Sequence, residues 1–186
     1  MSDWSMVQWS RARQITQAMG IKEKDAKTPA VTVTPPQHFA ELISLNQQTD
    51  AVQFLAHALP RYEAIQWAAQ AMAALRPNDE RDLDEARAFD TAHQWLREPT
   101  EPLRRAAEVQ FGGMDEPSAE KFLLQAIFLS GGSMAPEDLP PVHPLPEITA
   151  KLAAAAILIT AFATPDPASA LTRALQDGEK LAQRAS

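Results

Sequence analysis

Three apolar stretches open on a proline and recur at a nearly fixed interval: Pro60-Arg61-Tyr62-Glu63-Ala64-Ile65-Gln66-Trp67, Pro102-Leu103-Arg104-Arg105-Ala106-Ala107 and Pro146-Glu147-Ile148-Thr149-Ala150-Lys151-Leu152. Their separations of 42 and 44 residues lie inside the ~40–47 residue period of HEAT and armadillo units. Proline suits a first helical turn, where the amide it lacks would be unpaired anyway. The spacing therefore predicts helix pairs, each unable to bury its apolar face alone and so obliged to pack on its neighbours. Two all-α architectures satisfy the pattern: stacked antiparallel pairs of HEAT/armadillo type, or an irregular bundle of about eight helices.

Composition supports helix over sheet. Only 6 glycines occur in 186 residues, and the 15 prolines fall at segment boundaries rather than within apolar runs, so they punctuate helices instead of breaking them. Three regions follow. Residues 1–20 are predicted to form an N-terminal amphipathic helix, with Trp4, Val7, Ile15 and Ala18 on one stripe and Trp9 widening it. Residues 21–34 read as an extended linker, a short strand or polyproline-like segment. Residues 35–186 read as a single all-helical domain. Within it, Thr34-Pro35-Pro36-Gln37 and Asp166-Pro167 are helix entries. Asn78 or Asp79 is expected to cap a charged helix, and Glu116-Pro117 to start another. Leu152 to Ala163 is apolar apart from Thr160 and is expected to be a buried central helix.

Charge narrows the partners. Residues 1–37 carry five basic and three acidic side chains, which leaves −9 on the rest of a chain whose net charge is −7. An acidic body argues against nucleic acid, whose binding depends on neutralising phosphates, and against an anionic membrane surface. The 12-residue run ending at Ala163 is too short to insert in a bilayer. With no cysteine and no secretory signal pattern, a cytoplasmic location is expected.

The chemistry-bearing residues do not assemble into a known catalytic or cofactor pattern. His38, His57, His93 and His143 lack the three- or four-residue spacing of a zinc helix. Ser130-Gly131-Gly132-Ser133 has no P-loop lysine and ends a helix, where glycine supplies a left-handed cap. Asp79, Glu80, Asp82, Asp84 and Glu85 form an acidic cluster that reads as a solvated face with ion pairs to Arg104 or Arg105. No metal, no cofactor and no enzymatic activity are expected.

What remains is recognition. Tryptophan is enriched at interface hot spots, so Trp4, Val7, Trp9 and Ile15 are the candidate partner-binding residues. They would dock on the chain's own body or on another molecule, a second copy included. The proline-rich loop with Ser130, Ser133, Pro140 and His143 is a secondary candidate, since loops on a helical scaffold often carry recognition.

The segments Ala58 to Trp67, Glu101 to Ala107 and Phe128 to Pro136 resemble an uncharacterised proteobacterial family of small all-helical proteins associated with type VI secretion gene neighbourhoods. The resemblance covers roughly residues 38–165 and brings no catalytic residues with it. It implies a protein partner that is a secretion component or effector. The expected function is a non-enzymatic protein–protein interaction module, an accessory or adaptor of a bacterial secretion system. An immunity-type inhibitor masking a toxin, and an enzyme of unfamiliar type, are the alternatives.

Overall fold

The computed structural model describes residues 4–22, 25, 28–77, 80–136 and 138–184. Among them stand nine helices and no strand: α1 (Ala12–Ala18), α2 (Pro35–Ser44), α3 (Gln48–Ala58), α4 (Arg61–Leu75), α5 (Leu83–Arg97), α6 (Glu101–Gly112), α7 (Ala119–Phe128), α8 (Ile148–Phe162) and α9 (Pro167–Ala182). The chain is all-α, as its composition predicts.

Local chemistry sets the helix ends. Thr34 precedes Pro35 and Pro36, and its backbone N–H donates to Gln37 Oε1 at 2.9 Å. Asp166 accepts from Ser169 N–H at 3.1 Å with Pro167 in the first turn. The start of α5 differs from the expected one. Its cap is Asp82, which accepts from Glu85 N–H at 2.8 Å while the Glu85 carboxylate accepts from Asp82 N–H at 3.2 Å; Asn78 and Asp79 lie outside the described residues. Likewise α7 is capped by Ser118, which accepts from Lys121 N–H at 3.1 Å, and not by Glu116. A short hydroxyl or carboxylate three residues ahead of a free amide outcompetes a proline signal further upstream.

The helix pairs do not stack. In a stack each pair touches only its neighbours, yet α4 of the first pair lies directly against α8 of the third, and α4 makes only slight contact with α5. The architecture is the irregular bundle, wound about α8, which packs on α3, α4, α7 and α9. The reason is in α8 itself. From Ile148 to Phe162 its one charged side chain is Lys151, and a helix apolar on nearly every side must be surrounded. On the closed side Trp67 is fully buried and its Nε1–H donates to Ala174 O at 2.8 Å. Gly178 of α9 makes that approach possible, since a Cβ there would lie 2.5 Å from the Trp67 ring.

The N-terminal region departs from its expected form. Helix covers Ala12–Ala18 and not residues 1–20. Residues 4–11 run as turns and irregular chain, their amides bonded elsewhere: Met6 N–H donates to Ala182 O at 3.0 Å, and Arg11 N–H to Gln14 Oε1 at 3.0 Å. The described part of 21–34 is neither strand nor free linker. Ala12 N–H donates to Val33 O at 3.0 Å, Val33 N–H turns back to Ala30 O at 3.1 Å, and Pro29 is buried. Trp4 and Ile15 belong to the same hydrophobic core as α3, α4 and α8.

Candidate functional site: an open trough along α8

Four of the expected recognition residues divide between two roles. Trp4 is 4% exposed and meets Phe39 edge-on at 5.2 Å between ring centroids; Ile15 is fully buried. Both are core, held within the chain, so they present no face to a second molecule. Val7 is half-buried against the core. Trp9 is 38% exposed, and its Nε1–H donates to His57 O at 3.1 Å. That bond pins the N-terminal strap over the end of α3.

The secondary loop is occupied by its own closure. Ser133 Oγ accepts from Ala135 N–H and Val142 N–H, both at 3.0 Å, and Ser130 Oγ donates to Ile127 O at 2.8 Å. The His143 ring nitrogen Nδ1 sits 3.1 Å from Gly132 O, and Pro140 is exposed. Arg104 is buried; it holds Phe128 O at 2.5 Å and Ser133 O at 2.8 Å and is paired with Glu101 at 2.6 Å. Arg105 adds Ser133 O at 2.8 Å and Ala135 O at 2.7 Å. Gly132, with φ at 66°, provides the left-handed turn, and a Cβ there would stand 2.9 Å from Arg104 Nη2. These arginines were expected to pair with the acidic start of α5. They pair instead with Glu101 and Glu108 of their own helix, while Arg76 takes Glu85 at 2.6 Å.

One side of α8 is open. Lys151, Ala155, Leu158, Ile159 and Phe162 lie on one face, since they are spaced three or four residues apart. Along it Ile159 is 40% and Phe162 58% exposed. Beside this face run two cavities. One, about 440 Å³, lies between Trp9, Ala56, Pro60, Arg61, Glu147 and Ala150. The other, about 280 Å³, lies between Met19, Gln53, Lys151, Ala154 and Leu158. His57 lines both, so the two lie side by side along α8 as an interrupted trough with that residue as their shared wall. At 15 residues and about 1.5 Å per residue, the helix spans roughly 22 Å.

The electrostatics of the trough are sparse. His57 Nδ1 is 2.7 Å from Gln53 O, and Nε2 is buried with no hydrogen-bond partner. A carbonyl only accepts, so Nδ1 carries the proton and Nε2 is a bare acceptor. Burial pushes the His57 pKa below 6.5, with the nearby Lys151 cation acting the same way and the Gln53 bond and Glu147 opposing. His38 makes the contrast: its Nδ1 has Glu41 at 3.1 Å. Glu147 and Lys151 make no ion pair among the described residues, where no three or more acidic or histidine side chains converge as a metal site would need. Nor is any described helix long and apolar enough to cross a membrane.

Of the trough, only Trp9 was singled out by sequence reasoning. Ile159, Phe162, Lys151 and Glu147 were missed. The signal was present in Lys151, which interrupts an otherwise apolar helix and shares a face with Phe162 eleven residues on. Residues 38–182 match a family of unknown function, DUF6931. Neither a curated protein nor a solved structure matches the chain.

Proposed function

We propose that this chain, which belongs to the DUF6931 family of unknown function, is a non-enzymatic interaction protein that seats an amphipathic helix of a protein partner in the trough along α8. The observation that carries the reading is the open face of α8. Its other faces are closed by α3, α4, α7 and α9, yet Ile159 and Phe162 stand exposed on a face whose earlier turns, through Leu158, Ala155 and Lys151, border the smaller cavity. A helix is the occupant this shape favours. The trough follows α8, its floor includes Ala150, Ala154 and Ala155, and small side chains let a second backbone approach closely. Recognition of this kind reads apolar anchors at i, i+3, i+4 and i+7. Glu147 and Lys151, one turn apart and unpaired, suit a partner helix bearing a base and an acid at the matching spacing.

The setting we propose is an accessory or adaptor of a bacterial secretion apparatus, working in the cytoplasm. It is supported by the resemblance of residues 58–67, 101–107 and 128–136 to the proteobacterial family associated with type VI secretion genes.

The test compares two aspartate substitutions at exposed apolar positions, Phe162→Asp in the trough and Val109→Asp on α6, which is 77% exposed. Affinity capture from the native host at physiological salt is expected to recover a companion with the wild type and with Val109→Asp. Phe162→Asp should release it at unchanged melting temperature, and a synthetic helix from that companion should bind the wild type alone. A companion indifferent to Phe162→Asp, or one released by high salt, would overturn the reading and favour an inhibitor acting through an acidic face. If Phe162→Asp instead converts a dimer to a monomer, the occupant is a second copy and the partner assignment fails.

A further inference from the structure

The loop between α7 and α8 carries an exposed apolar series with a period of its own. Leu139, Val142 and Leu145 stand three residues apart and are 55%, 51% and 68% exposed. Three residues make one turn of a polyproline II helix, so in that conformation the three side chains share one edge. The covalent chemistry of the segment selects it. Every residue from Leu139 to Leu145 except Val142 is a proline or precedes one. Proline fixes its own φ at about −65° and drives the residue before it out of the helical region. Val142 is held by hydrogen bonds instead: its N–H donates to Ser133 Oγ at 3.0 Å, and its carbonyl accepts from Met134 N–H at 2.7 Å. Ser133 is in turn anchored by the buried Arg104 and by Arg105, each donating to Ser133 O at 2.8 Å. Two arginines thus fix a loop whose aliphatic side chains remain largely in water and add little burial to the fold.

We infer that Leu139–Pro146 is a preformed polyproline II ligand, read by a protein partner whose groove is lined by aromatic side chains. Such grooves take prolines and apolar side chains in a PxxP register, which Pro141-Val142-His143-Pro144 supplies. They favour a ligand that is already extended, because little conformational entropy is left to lose on binding. From Leu139 to Pro146 the one ionisable side chain is His143, while Asp138 and Glu147 bracket the segment. The matching groove is therefore apolar along its length and basic at its ends. A second copy of the chain is the poorer occupant, since a body of net charge −9 beyond residue 37 would meet those ends with like charge. Pro146 and Glu147 also border the larger cavity, so a molecule on the loop and a helix in the trough would lie side by side.

The test places the photoreactive residue p-benzoylphenylalanine at Leu139 or, in a second variant, at Leu145 of the full chain, with the same residue at Val109 of α6 as control, and irradiates the native host cells. The expected result is a crosslink from a loop position and not from Val109, mapped by mass spectrometry to a partner surface that carries tryptophan or tyrosine. Against that partner in purified form, the chain with Leu139→Ser, Val142→Ser and Leu145→Ser should bind more weakly by about tenfold or more, at unchanged melting temperature. Ser133→Ala frees Val142 without altering the apolar edge and should cost a smaller factor, about threefold. A synthetic peptide of residues 138–147 should compete for the same site, and its triple-serine counterpart should not. No crosslink from either loop position, a crosslink to a surface without aromatic side chains or to a second copy of this chain, or full affinity in the triple variant or in Ser133→Ala would overturn the inference. Phe162→Asp separates the two proposals: it should release a helix from the trough and leave the loop crosslink intact. Loss of the loop crosslink in that variant would make the loop a mere rim of the trough and overturn its separate role.

Discussion

At the junction of α4, α5 and α7, Glu120 is buried and accepts from Arg81 Nε at 2.7 Å, with Arg76 Nη1 at 3.5 Å; in the trough, His57 is buried almost as completely and its Nε2 accepts from nothing. The first cluster is closed. Arg81 also donates to Arg76 O and Met72 O and lies 3.9 Å over the Phe89 ring, so a cation and an anion are removed from water together. Glu120 keeps one oxygen unpaired, but it lies away from the trough, and its charge is met. In the second region the unmet atom is itself shielded from solvent, although the residue borders two cavities. The difference separates a buried ion pair that ties helices together from a lone neutral imidazole bonded within its own helix.

Removing the carboxylate from the closed cluster is the harshest way to test that distinction. Glu120→Ala strands Arg81, whose side chain is 1% exposed, and breaking one side of a buried pair typically costs about 3–5 kcal/mol. At roughly 2–4 °C per kcal/mol for a domain of this size, the melting temperature should fall by about 10 °C. A loss under about 1 kcal/mol by chemical denaturation would mean that the pair is solvated, and the contrast with the trough would collapse.

Packing offers a second, smaller version of the comparison. On the closed side of the bundle, Gly178→Ala would place its Cβ 2.5 Å from the Trp67 ring and 2.8 Å from Leu55. Overpacking of this kind costs about 1–3 kcal/mol. In the trough, Ala155→Val adds atoms to a half-buried wall beside empty space and should change stability by no more than about 0.5 kcal/mol. Urea midpoints of the two variants measure both. A large loss for Ala155→Val would show that the trough is packed shut.

How far these regions were legible in the sequence depends on distance along the chain. Thr34-Pro35-Pro36-Gln37 and Asp166-Pro167 were readable as helix starts because capping involves residues three apart. The apolar run from Leu152 was readable as a central helix because burial on nearly every side leaves no polar face. The choice between stack and bundle turned on whether α4 meets α8, more than seventy residues on, and proline separations of 42 and 44 residues are silent on that. The N-terminal segment misled for a related reason. Its tryptophan spacing fits a helical stripe, but Met6 spends its amide on Ala182 and Trp4 packs on Phe39, contacts that local periodicity does not reveal. His57 stands alone in the sequence; the turn of α3 that brings its ring to Gln53, and the fold that brings α8 beside it, create the site together.

Acid should act in two separate stages. Burial lowers the pKa of His57, and of His93 with Arg97 reinforcing it. The unfolded chain therefore binds more protons than the folded one between those lowered values and about 6.5, and stability falls as the pH drops through that window. Glu101 follows at lower pH. Its bond to Arg104 holds its pKa below 4.5, so its contribution is present above that value and is lost as the pH falls through the folded one. Denaturation curves from pH 7.5 to pH 3.5 should show both steps. His57→Leu should reduce the first and leave the second; a first step unaffected by that variant would place it on His93 or elsewhere.

A small predicted effect carries the sharpest meaning. His57→Leu gives up one bond, from Nδ1 to Gln53 O, but that carbonyl belongs to a residue within α3 and the helix ladder still uses it. The substitution also removes the buried Nε2 acceptor and replaces it with apolar surface, which offsets the loss. No buried partner is left unsatisfied, so only the net worth of one hydrogen bond is lost, about 0.5–1.5 kcal/mol, and the apolar contact offsets part of it; at pH 7.5 the change should lie within about 1 kcal/mol of zero. Set against Glu120→Ala, that near-silence separates a neutral side chain bonded only within its own helix from one that neutralises a buried cation. Were His57→Leu to destabilise the fold as strongly as Glu120→Ala, the imidazole would be part of the framework.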